Sequence, residues 1–196
     1  MNISSFNLGT STVPCGQQGD WVLEEFTVSE SEAALHNIST LQPGRAHGRI
    51  RAGRYKRLAH RSRGVVMSNT PMEILTNREA YWQAKGNVLI NGLGMGMLLE
   101  AILAKPDVES VRVVEIDADV IALVGPHFAA DPRVQIIHAD AFAYKPEKGA
   151  RFDFVWHDVW DDICAGNLEA MKALVRKYRK PIALKQGAWS RSWLEA

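Results

Sequence analysis

The sequence predicts an α/β fold built on a five-stranded parallel sheet, and two features carry that expectation. From Asn87 onward, short continuous apolar runs alternate with helix-length segments: NVLIN, MLLEAILAK, VRVVEI, DVIALVGPHF, VQIIHA, FDFVWH, LEAMKALVRKY and PIALKQ. Apolar runs without polar alternation suit strands covered on both faces, and the segments between them are long enough for the crossover helices that parallel pairing requires. The second feature is NGLGMGM, a glycine-rich turn set directly between the first such strand and the first such helix. Strands are expected near 88–91, 111–115, 134–138, 152–157 and 181–186.

Composition agrees with one such unit plus an appendage. A chain of 196 residues is long enough for one sizeable core and short for two ordinary domains. It is 46% hydrophobic and 23% charged, which suits a folded globular chain and argues against a disordered or fibrous one. With 23 Lys and Arg against 22 Asp and Glu, the formal net charge of +1 removes the global electrostatic case for a nucleic-acid or membrane-surface binder. Cys15 and Cys164 stand far apart with no CxxC spacing, so neither a metal site nor a disulfide framework is expected. No apolar run approaches the roughly 18 residues that span a bilayer, and the first residues lack a basic start followed by an apolar stretch. The expected compartment is the cytoplasm.

Residues 1–20, rich in Ser, Thr, Gly and Asn, read as a flexible leader. Residues 21–75 read as an N-terminal strand, helix and β-hairpin unit. In it WVLEEF is a strand, SESEAALHNISTL a short helix opened by Ser29 or Ser31, and RYKRLAH and GVVMSN flank the turn RSRG at 61–64. Pro71 closes the hairpin. Thr76 and Glu79 have the spacing of a capping box, so a helix through Tyr81 and Trp82 is expected to start there and stop near Gly86. It opens the principal domain, 76–196.

Chemistry concentrates at the ends of the strands. Gly92, Gly94 and Gly96 permit a tight turn, and their missing side chains let backbone amides and a helix N-terminus approach a ligand. A dinucleotide fingerprint would want its third glycine at Met97, so that reading is weakened. Glu115 ends the next strand, 21 residues after Gly94, where a carboxylate can accept the hydroxyl protons of a ribose. Both Glu115 and Asp117 also suit the start of a helix, and for Asp117 the cap is the preferred reading. Asp140, in HADAF, ends the third strand at the carboxyl edge of the sheet, where open α/β sheets hold their ligands.

Taken together, Gly64 to Asp162 resembles the Rossmann-like class I S-adenosylmethionine (SAM) dependent methyltransferase fold, and most closely its spermidine synthase (polyamine aminopropyltransferase) branch. GVVMSNTPMEI with the helix at Tyr81 looks like that branch's hairpin and entry helix, NGLGMG like its glycine loop, VVEIDADVI like its ribose strand, and DPRVQIIHADAFAY like its adenine loop. The expected strand order is 3-2-1-4-5. The resemblance implies a SAM site in which Gly92, Gly94 and Gly96 carry the methionine portion, Glu115 the ribose, and Asp140 with Ala141 the adenine. Asn91, Ile116 and Asp158 complete the expected set.

The fourth strand, FDFVWHDVWDD, bears on the reaction. The resemblance implies an acidic pair of the form DxxDP there; Asp158 and Asp161 reproduce the spacing, and Asp162 replaces the proline. Asp158 and Asp161 are therefore the candidate catalytic residues, Asp158 as the base. Asp161 and Asp162 read equally well as acids at a helix N-terminus before LEAMKALV. The resemblance further implies an Asp at the position of Met95 in aminopropyltransferases, holding the cationic end of decarboxylated SAM; methionine there favours intact SAM, whose carboxylate loop amides satisfy. The expectation is a SAM-dependent methyltransferase acting on an unidentified nucleophile. The alternatives are aminopropyl transfer from decarboxylated SAM and a non-catalytic SAM-binding or interaction protein.

No NPPY or PC motif follows the fourth strand, and a small-molecule substrate is expected ahead of a macromolecule. Eight Lys or Arg residues with His47 and His60 lie between Arg45 and Arg63. They read either as an anion or nucleic-acid contact surface or, preferably, as a solvated hairpin whose charges blunt an exposed edge. Trp156, Trp160, Trp189 and Trp193 either wall a substrate pocket or pack over the sheet edge. Strand alternation points His157 away from Asp158, so His157 is read as structural, as is His138. Ten residues follow Gln186, too few for the antiparallel strand pair that usually ends class I methyltransferases. That edge is then expected to be open, covered by the N-terminal segment, or supplied by a second subunit of a homo-oligomer.

Overall fold

In the computed structural model, which describes residues 11–39, 49–179 and 182–194, two sheets share one apolar core. The first is an antiparallel meander of β1 (Gly16–Gln18), β2 (Trp21–Val28), β3 (Gly53–His60) and β4 (Gly64–Ser68), in that order. Between β2 and β3 lies α1 (Glu30–Ser39). Its start is decided by a reciprocal capping box: the Glu32 N–H donates to Ser29 Oγ at 3.2 Å, and the Ser29 N–H donates to Glu32 Oε2 at 2.8 Å. Ser29 rather than Ser31 is thus the cap.

The leader expected over residues 1–20 does not hold for residues 11–20. Val13 is fully buried, Thr12 donates from its hydroxyl to Glu100 Oε1 at 2.5 Å and from its N–H to Oε2 at 2.9 Å, and β1 pairs with β2. One apolar anchor and a three-residue strand are too short to register as periodicity, which is why the sequence hides them. Residues 1–10 lie outside the described residues.

Helix α2 (Pro71–Gln83) begins five residues ahead of the expected capping box at Thr76. Thr70 holds an extended conformation and Pro71 supplies a pre-set φ where its missing N–H costs nothing. Thr76 is left in mid-helix, its hydroxyl donating to the carbonyls of Glu73 at 3.0 Å and Met72 at 3.2 Å.

From there the chain winds through β5 (Gly86–Asn91), α3 (Met97–Leu103), β6 (Val108–Glu115), α4 (Ala118–Val124), β7 (Val134–His138), β8 (Phe152–His157), α5 (Leu168–Lys177), β9 (Ala183–Ala188) and α6 (Arg191–Leu194). The sheet order is β7-β6-β5-β8-β9 with every pairing parallel, the 3-2-1-4-5 order that the sequence predicts. The fold is Rossmann-like α/β. Central β5 carries the fully buried Val88 and Leu89, so it sits between apolar layers on both faces. None of the described helices is long and apolar enough to cross a membrane.

The basic stretch is largely neutralised on the first sheet. Arg57 meets Glu24 at 2.7 Å, Arg54 meets Glu25 at 3.9 Å and Arg61 meets Asp20 at 3.6 Å, while Lys56 donates to the Val13 carbonyl at 2.6 Å. The first two pairs join β2 to β3, the inner strands of this sheet, so these charges do not blunt an edge. Arg45 and His47 lie outside the described residues.

Candidate active site

The first sheet packs across the carboxyl ends of β5, β6 and β8, and the two enclose a cavity of about 510 Å³. This is where an open parallel sheet holds ligands, and the volume suits a small molecule. Between β5 and α3 the chain passes through three left-handed glycines, Gly92 (φ 103°), Gly94 (φ 51°) and Gly96 (φ 78°). A Cβ on Gly92 would stand 1.8 Å from the Asp158 carbonyl oxygen, and one on Gly94 2.3 Å from the Met67 sulfur. Gly92 and Gly94 line the cavity; Gly96 serves as N-cap of α3 and packs against Phe128 instead. Gly92→Ala is expected to cost about 3 kcal/mol of stability in urea unfolding, since it combines the left-handed penalty with a backbone clash.

Glu115 is nearly buried and tied at both oxygens. Its Oε2 accepts the Leu93 N–H at 2.7 Å and its Oε1 the Asp117 N–H at 2.9 Å, which clamps the glycine loop to the start of α4. Each oxygen keeps a second lone pair, on a carboxylate that lines the cavity. Asp117 is the cap expected: its Oδ1 accepts from the N–H groups of Asp119 at 2.9 Å and Val120 at 3.2 Å. Its other oxygen accepts the Trp21 indole N–H at 2.8 Å, so the cap also pins the first sheet in place. Asp140 and Ala141 line the cavity, Asp140 Oδ1 accepting the Phe142 N–H at 2.8 Å. Ile116 and Phe142, 64% and 44% exposed, present two apolar surfaces at the rim. His138 Nε2 donates to the Ile116 carbonyl at 3.0 Å and so steadies that rim.

Asn91 is placed differently from expectation. It is fully buried away from the cavity, its side-chain amide donating to His157 Nδ1 at 2.8 Å, and its backbone carbonyl accepts the Asp158 N–H at 2.8 Å. His157 Nε2 faces Gln186 Oε1 at 3.2 Å, and burial pulls the imidazole down from 6.5 to about 4. Its structural reading stands.

Part of the cavity wall is acidic. Asp158, at the end of β8, lines it, and burial together with the charges of Glu73 and Glu115 holds its carboxyl well above the ordinary carboxylate range. Glu73 comes from the first turn of α2, is 6% exposed and lines the same space. Burial pushes it up to about 7, against hydrogen bonds from Trp189 and Thr76 that favour its charged form. Glu73 escapes the sequence reading because that reading starts the helix at Thr76; taking Pro71 as the first helical residue exposes it as a first-turn acid.

Asp161 sits on the rim, its Oδ2 accepting from Arg63 at 2.9 Å, while the Arg63 guanidinium lies 4.6 Å over the Trp21 ring. Asp162 accepts from the Asn167 side chain at 3.2 Å, and α5 opens only at Leu168, so neither acid forms that helix's N-terminus. Of Trp156, Trp160, Trp189 and Trp193, the second and third wall the cavity, and Trp21 joins them. Trp156 stacks on Phe154 at 6.2 Å within the core, and the Trp193 side chain lies outside the described residues. Met95 is fully buried in the core, so the loop side it was expected to present to a ligand belongs to Leu93 and Gly94. Among the described residues no group of three or more His, Cys, Asp or Glu is placed to hold a metal ion.

The spermine/spermidine synthase domain matches residues 70–186, more than half of the chain. The chain belongs to the spermine/spermidine synthase domain family. The polyamine aminopropyltransferase of Synechococcus sp. is 34% identical over 86 residues, covering 40% of this chain and 28% of that protein. Polyamine aminopropyltransferase 2 of Caldanaerobacter subterraneus subsp. tengcongensis is 36% identical over 81 residues, 39% of this chain and 27% of that protein. The chain thus spans under a third of the length of these curated relatives. Among solved structures, the N-methyltransferase NodS of Bradyrhizobium japonicum is 15% identical with a TM-score of 0.42, covering 56% of this chain and 64% of that one. The 23S rRNA methyltransferase ErmE is 19% identical with a TM-score of 0.43, covering 56% and 42%. The segment shared with the spermine/spermidine synthase domain holds Glu73, the glycine loop, Glu115, Asp140 and Asp158; Trp21, Arg63 and Met67 fall before it.

Proposed function

We propose that this chain binds a SAM-type sulfonium nucleoside and transfers one of its S-alkyl groups to a nucleophile, with a small-molecule acceptor and a cytoplasmic setting. The carrying observation is the set of groups that line one cavity: apolar Ile116 and Phe142, the Asp140 and Glu115 carboxylates, the Gly92 and Gly94 turn, and the Glu73 and Asp158 carboxyls. Beside that turn, the Glu115 carboxylate keeps a spare lone pair on each oxygen, which suits the ribose hydroxyls of such a ligand. When bound, the nucleoside supplies a carbon made electrophilic by the sulfonium.

The chain's own residues then divide the work. Glu115 accepts ribose hydroxyl protons while keeping the loop amides aligned, and Ile116 and Phe142 cover the faces of the purine. Burial raises the proton affinity of both Glu73 and Asp158, so a cationic amine entering beside them favours their ionised form, which then takes the amine proton. Arg63, Trp21 and Asp161 narrow the mouth.

Which alkyl group moves has two readings. Methyl transfer is supported by Leu93 and Gly94, the loop positions that face the cavity without an acid to hold an aminopropyl ammonium. Aminopropyl transfer is supported by the family membership, by the Asp158–Asp161 spacing and by Glu73. Asp158→Asn is expected to bind S-adenosylhomocysteine as wild type does and to transfer about a hundredfold more slowly. Labelled SAM and decarboxylated SAM, each offered with a panel of amines, provide the assay, and product mass separates methyl from aminopropyl. Wild-type protein that binds both donors and yields no product with either would return the chain to the non-catalytic reading.

A further inference from the structure

Met67 reaches into the glycine loop from the hairpin just ahead of residues 70–186, the stretch that matches the family's domain. It sits on β4 opposite Leu58, lines the cavity, and places its sulfur 3.1 Å from the Met95 nitrogen, accepting that N–H. The same sulfur packs on Gly94, where any Cβ would collide with it. A loop amide of this kind is what an α-carboxylate of a ligand uses. Here it already has a partner, though a weak one, because a thioether accepts hydrogen bonds poorly.

We propose that Met67 sets the discrimination between nucleosides with and without an α-carboxylate. The inference rests on the functional reading above and deepens it. A ligand with a carboxylate displaces the sulfur and gains a charge-assisted bond, but must break the existing contact to do so. A ligand without one leaves the sulfur in place, so no amide is orphaned and the usual penalty for lacking the carboxylate disappears. The site therefore tolerates both forms, and the tolerance comes from a side chain of the N-terminal sheet.

The test is calorimetric titration of the full chain with S-adenosylhomocysteine and its decarboxylated counterpart, in wild type, Met67→Leu and Met67→Ala. Leucine keeps the bulk and removes the acceptor; alanine removes both. Wild type is expected to hold the two ligands within about fivefold of each other, and each variant to shift the ratio about tenfold toward the carboxylated ligand. A general loss of packing weakens both ligands alike and leaves the ratio unmoved. Binding of both ligands with an unchanged ratio in both variants overturns the role of Met67 alone, whereas failure of wild type to bind either ligand overturns the functional reading and this inference with it.

Discussion

Glu115→Ala is expected to weaken S-adenosylhomocysteine binding by about a hundredfold or more and to lower stability at the same time. Removing the carboxylate takes away the ribose acceptors and frees two backbone N–H groups, of Leu93 and Asp117, that it holds at 2.7 and 2.9 Å. Each lost hydrogen bond to a charged group is worth about 1.5–3 kcal/mol, and every 1.4 kcal/mol is tenfold in affinity. The loop that Leu93 belongs to also loses its tie to α4, so the cradle loosens as the ligand's contacts vanish. Glu115→Gln, which keeps one acceptor oxygen, is expected to fall between alanine and wild type. Calorimetry reads the affinities, and urea unfolding of the free chain reads the stability; an alanine variant with wild-type affinity would remove Glu115 from the site.

Glu73→Gln is expected to stabilise the chain, and only above acidic pH. In the fold Glu73 titrates at about 7 instead of 4.5, so between those values the folded chain keeps a proton that the unfolded chain releases. Stability therefore falls as pH rises through that window, by up to about 3 kcal/mol, and stays lower above it. Glutamine has no proton to keep, so the variant's advantage grows from about pH 4.5 to 7 and then levels off. His157 works in the opposite sense: its folded value of about 4 lies below the ordinary 6.5, so acidification across that range charges the unfolded chain first and costs stability. In wild type the His157 slope opposes those of Glu73 and of Asp158, whose carboxyl is raised as well, and Glu73→Gln removes one of the two carboxyl contributions. Denaturant melts at half-unit steps from pH 4.5 to 8 measure this; a variant that tracks wild type at every pH would mean that Glu73 is not desolvated.

What the sequence reveals and what it hides follow from whether a signal is local. Strand order, the glycine turn, the Asp117 cap and the positions of Glu115 and Asp140 all come from runs of a few adjacent residues, and the structure places them as expected. The residues that the sequence misplaces depend on contacts between distant segments. Whether Met95 or Gly94 faces the ligand depends on how three left-handed glycines turn the chain, and the apolar Met95 side chain is drawn into the core. Asn91 turns away from the cavity because His157, 66 positions on, offers it a buried partner. Trp21, Arg63 and Met67 become cavity residues only because the first sheet lies across the second, and no periodicity within either sheet encodes that docking. Asp161 carries the spacing of a catalytic acid, yet its nearest charge is an arginine from a hairpin 98 residues earlier.

The most direct test of the account is the crystal structure of the chain with S-adenosylhomocysteine at saturating concentration. The account predicts the nucleoside in the cavity between the sheets, both ribose hydroxyls within about 2.5–3.0 Å of the Glu115 carboxylate, and the purine between Ile116 and Phe142. Ligand bound elsewhere on the chain, or a cavity that stays empty at that concentration, would contradict it.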